Sequence, residues 1–264
     1  MSQILDTIVA AKKEEVQTLQ EQFTIADFEQ TDHYRRKTVS LSKRLQPAGS
    51  TGIIAEFKRK SPSKGFFTKA DTAVEPIAQA YAGNGAAGIS VLTDHEFFGG
   101  SLVDLHFARQ AVAIPLLRKD FIIDALQIHQ AKAAGADVIL LIAAILSPAQ
   151  VRQFAGIATS LGLESLLEIH DEGELQHVCD EVDMIGVNNR NLQTFEVSFN
   201  TSLQLIKKLP RNKPAISESG ITNVDSIVTL RQAGYRGFLI GEHFMRQPDP
   251  TIAFARFTQA LSQA

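Results

Sequence analysis

Eight short apolar runs, each followed by a longer segment with helical spacing, recur along residues 53–261. Their starts lie roughly 20 to 35 residues apart, which is the length of one strand, one loop and one helix. The runs are continuous rather than alternating, and continuous apolar runs are typical of strands covered on both faces, as in a parallel sheet. They comprise residues 53–58, 88–92, 114–118, 138–142, 164–168, 184–187, 214–217 and 237–240.

This order of strand and helix predicts an α/β protein built from repeated βαβ units. Eight units in about 210 residues, with no break in composition, favour a closed (β/α)8 TIM barrel over the alternative of an open, doubly wound sheet. We therefore expect a single domain over residues 1–264, in which the barrel itself spans residues 53–261.

Residues 1–46 stand outside this repeat, and we interpret them as an N-terminal helical extension packed on the barrel. Between Ile4 and Gln22 the apolar residues recur at the spacing of an amphipathic helix. Lys12 occupies one position on that apolar face. The alternative interpretation of this segment is a solvated tail.

Charge and composition exclude several classes of partner. The chain carries 26 Lys and Arg against 29 Asp and Glu, a formal net charge of -3, and no basic block stands alone, so we expect no nucleic-acid partner. Its longest apolar run, residues 138–146, is far shorter than the roughly 20 residues of a membrane helix, so we expect no membrane partner. Because the chain has one cysteine, Cys179, and no apparent secretory signal, the expected compartment is the reducing cytoplasm.

Polar side chains cluster at the carboxyl ends of the predicted strands, where barrels of this class carry their reacting groups. Period-two alternation places Glu56 and Lys58 on the same inward face of the first strand. Burying several charged groups around one axis is costly without a function, so the set indicates a functional site. The polar residues at these ends include Glu56, Lys58, Lys119, Glu168, His170, Asn188, Arg190, Glu218, Ser219 and Glu242.

Sequence motifs that would indicate a cofactor either occur in the wrong structural order or are absent. Residues 83–88 match the dinucleotide-binding glycine pattern, but they follow a predicted helix and precede a strand, which is the reverse of the required order. The seven histidines show no metal-ligand spacing, Cys179 falls in a helical pattern, and no Gly-Lys dipeptide occurs. We therefore predict no metal and no organic cofactor.

Longer motifs at the strand ends carry a more specific signal. The first strand leads into IAEFKRKSPS (residues 54–63) and the third into LRKDFI (117–122). Four more follow in order: LEIH (167–170), IGVNNRNL (185–192), SESGI (217–221) and LIGE (239–242). Together they resemble the motifs of the indole-3-glycerol phosphate synthase family. The resemblance covers essentially the whole chain, including the N-terminal helix.

The resemblance implies a carboxy-lyase of tryptophan biosynthesis that acts on a small phosphorylated substrate. The implied reaction is ring closure, decarboxylation and dehydration of 1-(2-carboxyphenylamino)-1-deoxyribulose 5-phosphate to indole-3-glycerol phosphate, CO2 and water. The implied catalytic residues are Lys119 and Lys58 as proton donors, Glu168 and Glu56 as their carboxylate partners, and Asn188 and Glu218, which orient the reacting centre. The implied substrate-binding residues are Ser61, Arg190, Ser219, Gly220, Leu239, Gly241 and Glu242.

Three further expectations follow from the resemblance. The charge of Glu242 would repel a phosphate dianion, so we expect only its backbone N–H to face the phosphate, while Arg190 and Lys58 face the substrate carboxylate. Carboxylate neighbours would hold the lysines charged, whereas burial would lower their pKa towards useful acid strength, and both outcomes are compatible with the sequence. Residues 1–46 are expected to pack over the barrel mouth and to shield the anilino ring from water.

Two other functions stay open at this point. One is another phosphate-binding barrel enzyme such as phosphoribosylanthranilate isomerase, which relies on a Cys and an Asp at strand ends, where Cys179 does not lie. The other is a catalytically silent barrel that binds a phosphorylated ligand. We expect a monomer or weak oligomer, and contact with other enzymes of the tryptophan pathway also stays open.

Overall fold

The computed structural model describes residues 3–192 and 194–264, so Met1 and Ser2 of the predicted extension lie outside the described residues. The strands are β1 (Ile53–Phe57), β2 (Lys60–Ser61), β3 (Gly65–Phe66), β4 (Gly88–Leu92), β5 (Leu116–Lys119), β6 (Val138–Ile142), β7 (Glu164–Ile169), β8 (Met184–Asn188), β9 (Ala215–Glu218) and β10 (Gly237–Ile240). Eight of them form a closed parallel barrel in the order β1-β10-β9-β8-β7-β6-β5-β4, and β2 and β3 form a separate antiparallel hairpin.

The predicted barrel is confirmed, and the alternative of an open sheet is wrong because β1 pairs with both β4 and β10. All eight apolar runs are strands. Their ends shift by at most two residues, the largest change being the third run, predicted at 114–118 and observed at Leu116–Lys119.

Helices connect the strands and surround the barrel, as the repeat predicts. They are α1 (Gln3–Gln22), α2 (Ile25–Glu29), α3 (Leu41–Arg44), α4 (Glu75–Gly83), α5 (Leu102–Ala111), α6 (Ala125–Ala133), α7 (Pro148–Ser160), α8 (Phe199–Leu205), α9 (Val224–Ala233), α10 (Glu242–Met245) and α11 (Pro250–Leu261). Short 3-10 turns cover Ala143–Ile145, Glu172–His177 and Ile206–Lys208. Among these described helices, none has the length and apolar character needed to cross a membrane.

The helical pattern assigned to Cys179 is wrong. The connection from β7 to β8 holds a 3-10 turn that Asp171 caps and that ends at His177, and Cys179 lies in irregular chain beyond it. Short apolar spacing in such a connection resembles helical spacing, although too few residues are present for a stable α-helix.

Side chains alternate along each strand between the barrel interior and the surrounding helices. In β1, Ile54 joins an interior cluster with Leu117 and Leu140, whereas Ile53 and Ala55 belong to the outer cluster between strands and helices. Both faces of the strand are therefore apolar, which explains why the runs are continuous in the sequence.

The N-terminal segment contacts both ends of the barrel. α3 packs where the strands begin: a carboxylate oxygen of Glu164, the first residue of β7, accepts hydrogen bonds from the backbone N–H groups of Leu41 and Ser42 at 2.8 and 3.0 Å. α1 reaches the opposite end, where Ile4, Leu5 and Ile8 line a cavity. The expectation that the whole of residues 1–46 covers the mouth is therefore wrong, because α3 packs at the other end of the barrel.

Lys12 fixes α1 to the barrel through buried charge. Its side chain is almost fully buried, and its Nζ lies 3.0 Å from a carboxylate oxygen of Asp94 and 3.0 Å from one of Asp120. Burial would lower the pKa of Lys12, but Asp120, Asp94 and Glu15 outweigh it and raise that pKa. The lysine on the apolar face of α1 thus matches two carboxylates on the barrel beneath it.

Replacing Lys12 by Met should lower the free energy of unfolding by about 3 kcal/mol, because it removes the cation that contacts buried Asp94 and leaves buried Asp120 with Arg118 alone. The matched control is Lys13→Met on the exposed face of the same helix, which should change that free energy by less than about 0.5 kcal/mol. Urea unfolding followed by circular dichroism measures both variants. Equal stability of the two variants would contradict the role given to Lys12.

Candidate active site

One cavity of about 840 Å³ opens at the carboxyl ends of the strands and brings the predicted site residues together. Of the residues to which the resemblance assigns a role, its wall contains all except Glu218, namely Glu56, Lys58, Ser61, Lys119, Glu168, Asn188, Arg190, Ser219, Gly220, Leu239, Gly241 and Glu242. Glu218 is fully buried beneath the cavity, where its carboxylate contacts Lys119.

The Lys119 ammonium lies among three carboxylates. Its Nζ is 2.8 Å from Glu218 Oε2, 3.6 Å from Glu56 Oε2 and 3.8 Å from Glu168 Oε2. The four residues lie on β5, β9, β1 and β7, so barrel closure brings them to one point. Burial would lower the pKa of Lys119, but the carboxylates outweigh burial and raise that pKa. Of the two outcomes compatible with the sequence, the charged lysine is the one that the structure supports.

Lys58 adds a second ion pair beside the first. Its Nζ lies 2.7 Å from Glu56 Oε1, so the two side chains share the barrel mouth as period-two alternation predicts. Burial would raise the pKa of Glu56, but Lys58 and Lys119 lower it. Glu56 is therefore ionised and bridges the two lysines.

Glu168 and Glu218 are chemically identical but have different proton affinities. Burial would raise the pKa of Glu168, yet His170, Lys119 and a hydrogen bond from Asn188 Nδ2 at 3.2 Å lower it to about 2. For Glu218, burial and the charge of Glu168 prevail over Lys119 and raise its pKa to about 7. At neutral pH this pair thus contains one ionised carboxylate, Glu168, and one that exchanges a proton readily, Glu218.

Two glycines make room for inward-facing carboxylates. A Cβ atom at Gly186 of β8 would lie 2.2 Å from Glu218 Oε1, and one at Gly241 would lie 2.4 Å from Glu56 Oε1. Real Cβ atoms do not approach so closely, so any larger residue would displace the glutamate. Gly241 is expected from the resemblance to bind phosphate through its backbone, and this role for its missing side chain is additional.

The outer end of the cavity carries the residues expected to bind phosphate. Ser61 Oγ is buried and has no hydrogen-bond partner among the described residues. Ser219 has φ of 69°, a left-handed conformation that costs energy outside glycine and is found at functional sites. The next residue, Gly220, has φ of 80°, which glycine adopts without that cost.

The side chain of Glu242 is paired with cations. Its Oε1 lies 2.5 Å from Lys64 Nζ and 3.2 Å from Arg246, and its Oε2 lies 3.7 Å from Arg190. Burial would raise the pKa of Glu242, but Lys64 and the further cations lower it. The carboxylate would therefore meet a phosphate with its charge already compensated. Lys64 is an exposed loop residue, yet it contacts Glu242 and lines the cavity.

An apolar wall faces these charges. α1 contributes Ile4, Leu5 and Ile8, and the loops after β4 and β5 contribute Phe98 and Phe121. Such a surface can enclose a flat aromatic ring and keep water from it. The cavity therefore has one face suited to a ring and one suited to anions and proton transfer.

His170 is a further residue of the site. It belongs to the LEIH motif, but the motif does not indicate what His170 does. It lies two residues after Glu168, so the same alternation that aligns Glu56 with Lys58 places it beside Glu168. Its Nε2 lies 3.2 Å from Glu168 Oε1. The residues described contain no group of three or more His, Cys, Asp or Glu placed to hold a metal ion.

Comparisons with known proteins agree on one family. The family model for indole-3-glycerol phosphate synthase matches residues 5–257. An indole-3-glycerol phosphate synthase of Bacteroides thetaiotaomicron is 44% identical over 99% of this chain and 100% of its own length. One of Polaromonas naphthalenivorans is 43% identical over 97% of this chain and 98% of its own. The chain belongs to the indole-3-glycerol phosphate synthase family. The resemblance of its strand-end motifs is thereby confirmed, and the isomerase alternative is wrong.

Solved structures of other proteins share the barrel fold with this member of the family. A tryptophan synthase complex of Pyrococcus furiosus has a TM-score of 0.61 at 14% identity, covering 81% of this chain and 98% of that one. A 3-hexulose-6-phosphate synthase has a TM-score of 0.62 at 15% identity, covering 80% and 100%. At these identities the likeness supports the fold alone.

Replacing Gly241 by Ala should lower kcat about a hundredfold, because the new methyl group displaces Glu56 and with it both lysines. Gly156→Ala, at an open position in α7, is the control and should leave kcat unchanged. Steady-state kinetics with the carboxyphenylamino-deoxyribulose phosphate measures both, and thermal unfolding checks that they fold. A fully active Gly241→Ala variant would show that Glu56 tolerates displacement.

Proposed function

We propose that this chain is an indole-3-glycerol phosphate synthase: it converts 1-(2-carboxyphenylamino)-1-deoxyribulose 5-phosphate into indole-3-glycerol phosphate, CO2 and water. Members of the family are carboxy-lyases of tryptophan biosynthesis. The observation that carries the proposal is the ammonium of Lys119 among three buried carboxylates, at the base of a cavity with an apolar wall. Formation of an indole chromophore from this substrate tests it directly, and the chain contains no Trp to obscure the signal. A folded protein that forms no indole would instead be a silent ligand-binding barrel.

The reaction needs a proton donor for the same oxygen atom in two successive steps. In ring closure, the ring carbon that carries the carboxylate bonds to the ketone carbon, and the ketone oxygen takes up a proton. Loss of CO2 then returns an electron pair to the ring. In dehydration, the new hydroxyl group leaves as water after receiving a proton, while a base removes a proton from the adjacent methylene carbon of the new ring and a carbon–carbon double bond forms.

The ionisation states of the site suit these steps. Lys119 is charged and lines the cavity, so it can stabilise negative charge on the oxygen and transfer its proton there. Glu218 lies 2.8 Å from Lys119 and outside the cavity wall, so it can return a proton to the lysine without contacting the substrate. Glu168 is ionised and lines the cavity, as a base requires. Lys58 with Glu56 supplies the second acid.

The remaining polar residues bind the two anionic groups of the substrate. Arg190 and Lys58 face the ring carboxylate, and the Ser61 hydroxyl group receives the phosphate together with backbone N–H groups at Gly220 and Gly241. The ring then lies against Ile4, Leu5 and Ile8. Cys179, the one cysteine of the chain, is half-buried and unpaired, which favours the reducing cytoplasm as the compartment of this proposed enzyme. We expect it to act there as a monomer or weak oligomer.

Lys119→Met and Lys58→Met should each lower kcat by about a hundredfold or more, since each removes a positioned proton donor and keeps most of the side-chain volume. Because ring closure and dehydration are successive steps, product analysis should show different accumulated species if the two lysines serve different steps. Lys69→Met is the control, because Lys69 is exposed and lies outside the cavity wall. Lys64 is unsuitable as a control, because it contacts Glu242. Equal activity of the Lys119 and Lys69 variants would place the chemistry elsewhere.

Ile8→Ala should raise KM about threefold to tenfold with little change in kcat, because it removes apolar area against which the anilino ring packs. Val16→Ala is the matched control: Val16 is buried on the same helix but lies outside the cavity wall. Both variants should lose similar stability in thermal unfolding, so the difference in KM isolates contact with substrate. An unchanged KM for Ile8→Ala would place the ring away from α1.

A further inference from the structure

Carboxylates outnumber lysines at the base of the cavity. Two lysines, Lys58 and Lys119, face three carboxylates there. Carboxylates that share too few cations compete for a proton, and one of them then takes it. Glu168 is the proposed base and must stay ionised, so its surroundings must direct the proton to another carboxylate.

His170 supplies a third positive charge from behind Glu168. Its Nε2 lies 3.2 Å from Glu168 Oε1, and its Nδ1 lies 3.2 Å from Glu174 Oε2. The backbone N–H of His170 also donates to Glu174 Oε2, at 2.6 Å. The ring is thus held between two carboxylates, and His170 is not part of the cavity wall, so it acts on the substrate only through Glu168.

The surroundings of His170 favour the imidazolium form. Burial would lower its pKa, but Glu168 and Glu174 outweigh burial and raise that pKa to about 10. These two carboxylates are the charged side chains that contact the ring, one from β7 and one from the 3-10 turn after it. Among the described residues, Nε2 makes no hydrogen bond of good geometry, and Glu168 Oε1 at 3.2 Å is its charged neighbour.

We propose that His170 is a positioning residue whose positive charge keeps Glu168 ionised and directs the shared proton of the cluster to Glu218. The proposal rests on the proposed function, in which Glu168 is a base that lines the cavity and Glu218 returns protons to Lys119. Without the imidazolium, Glu168 and Glu218 would compete for one proton near neutral pH. The base would then be blocked in part of the molecules.

His170→Gln tests the role of the charge. It retains a polar side chain near Glu168 but carries no charge, so the acid limb of the kcat profile should move to higher pH. We expect kcat to fall less than about threefold relative to the unaltered enzyme near pH 8, and about tenfold or more near pH 5.5, because each unit below a pKa costs a factor of ten in ionised base. A loss that is equal at all pH values would indicate a merely structural role and overturn the proposal.

His129→Gln is the matched control. His129 is a half-buried histidine whose Nδ1 lies 2.6 Å from the hydroxyl of Tyr34, on a helix outside the cavity wall. It should leave the kcat profile unchanged at every pH. A shift of the same size in this variant would mean that the profile of His170→Gln does not report on Glu168.

A measurement on the unaltered protein tests the charge of His170 without relying on activity. Nitrogen-15 NMR of the imidazole should show His170 doubly protonated near pH 8, where a free histidine is neutral. A neutral ring at that pH would overturn the proposal, whether or not His170→Gln folds. A doubly protonated ring in a protein that forms no indole would overturn the proposed function and leave the ion pair with Glu168 in place.

Discussion

The ion cluster around Lys119 is the constraint on which the rest of the structure depends. Removing one ammonium and three carboxylates from water is costly, and mutual attraction offsets that cost only if the distances are held. A closed barrel holds them, because the charged residues extend from the ends of strands fixed in register on both sides. The glycines at 186 and 241 leave the space that Glu218 and Glu56 occupy. The site therefore depends on the missing side chains of these glycines as well as on the charged side chains of the strands.

A second ion cluster connects this site to the N-terminal helix. Asp120 directly follows Lys119, and it pairs with Lys12 of α1 at 3.0 Å and with Arg118 of its own strand at 3.0 Å. Lys119 therefore joins the carboxylate cluster of the site, whereas its two neighbours join a separate network, in which Asp120 also lines the cavity. The helix that supplies the apolar wall is thus attached to the same strand end that supplies the lysine. Stability of the extension and geometry of the site share one short segment of chain.

Much of this arrangement could be predicted from the sequence, and the limits have a physical cause. Continuous apolar runs fix the strands, and the position of a polar residue at a strand end fixes its place in the cavity, as for Glu56 and Asn188. Partnerships between distant side chains leave no periodic trace. The ion pair of Lys64 with Glu242 and that of Lys12 with Asp94 join residues far apart in the chain. The periodicity of strands and helices does not indicate such pairs. For the same reason the motif containing His170 shows its position but not its partner.

The carboxylates of the site illustrate how identical side chains acquire different roles. Glu56 contacts both lysines and is ionised between them. Glu168 has Lys119 on one side and His170 on the other, so its negative charge is favoured despite burial. Glu218 has Lys119 alone, together with the repulsion of Glu168 and complete burial, so a proton is favoured there near neutral pH. The cations around each carboxylate, together with its burial and its neighbouring carboxylates, therefore decide whether it acts as an ion, a base or a store of protons.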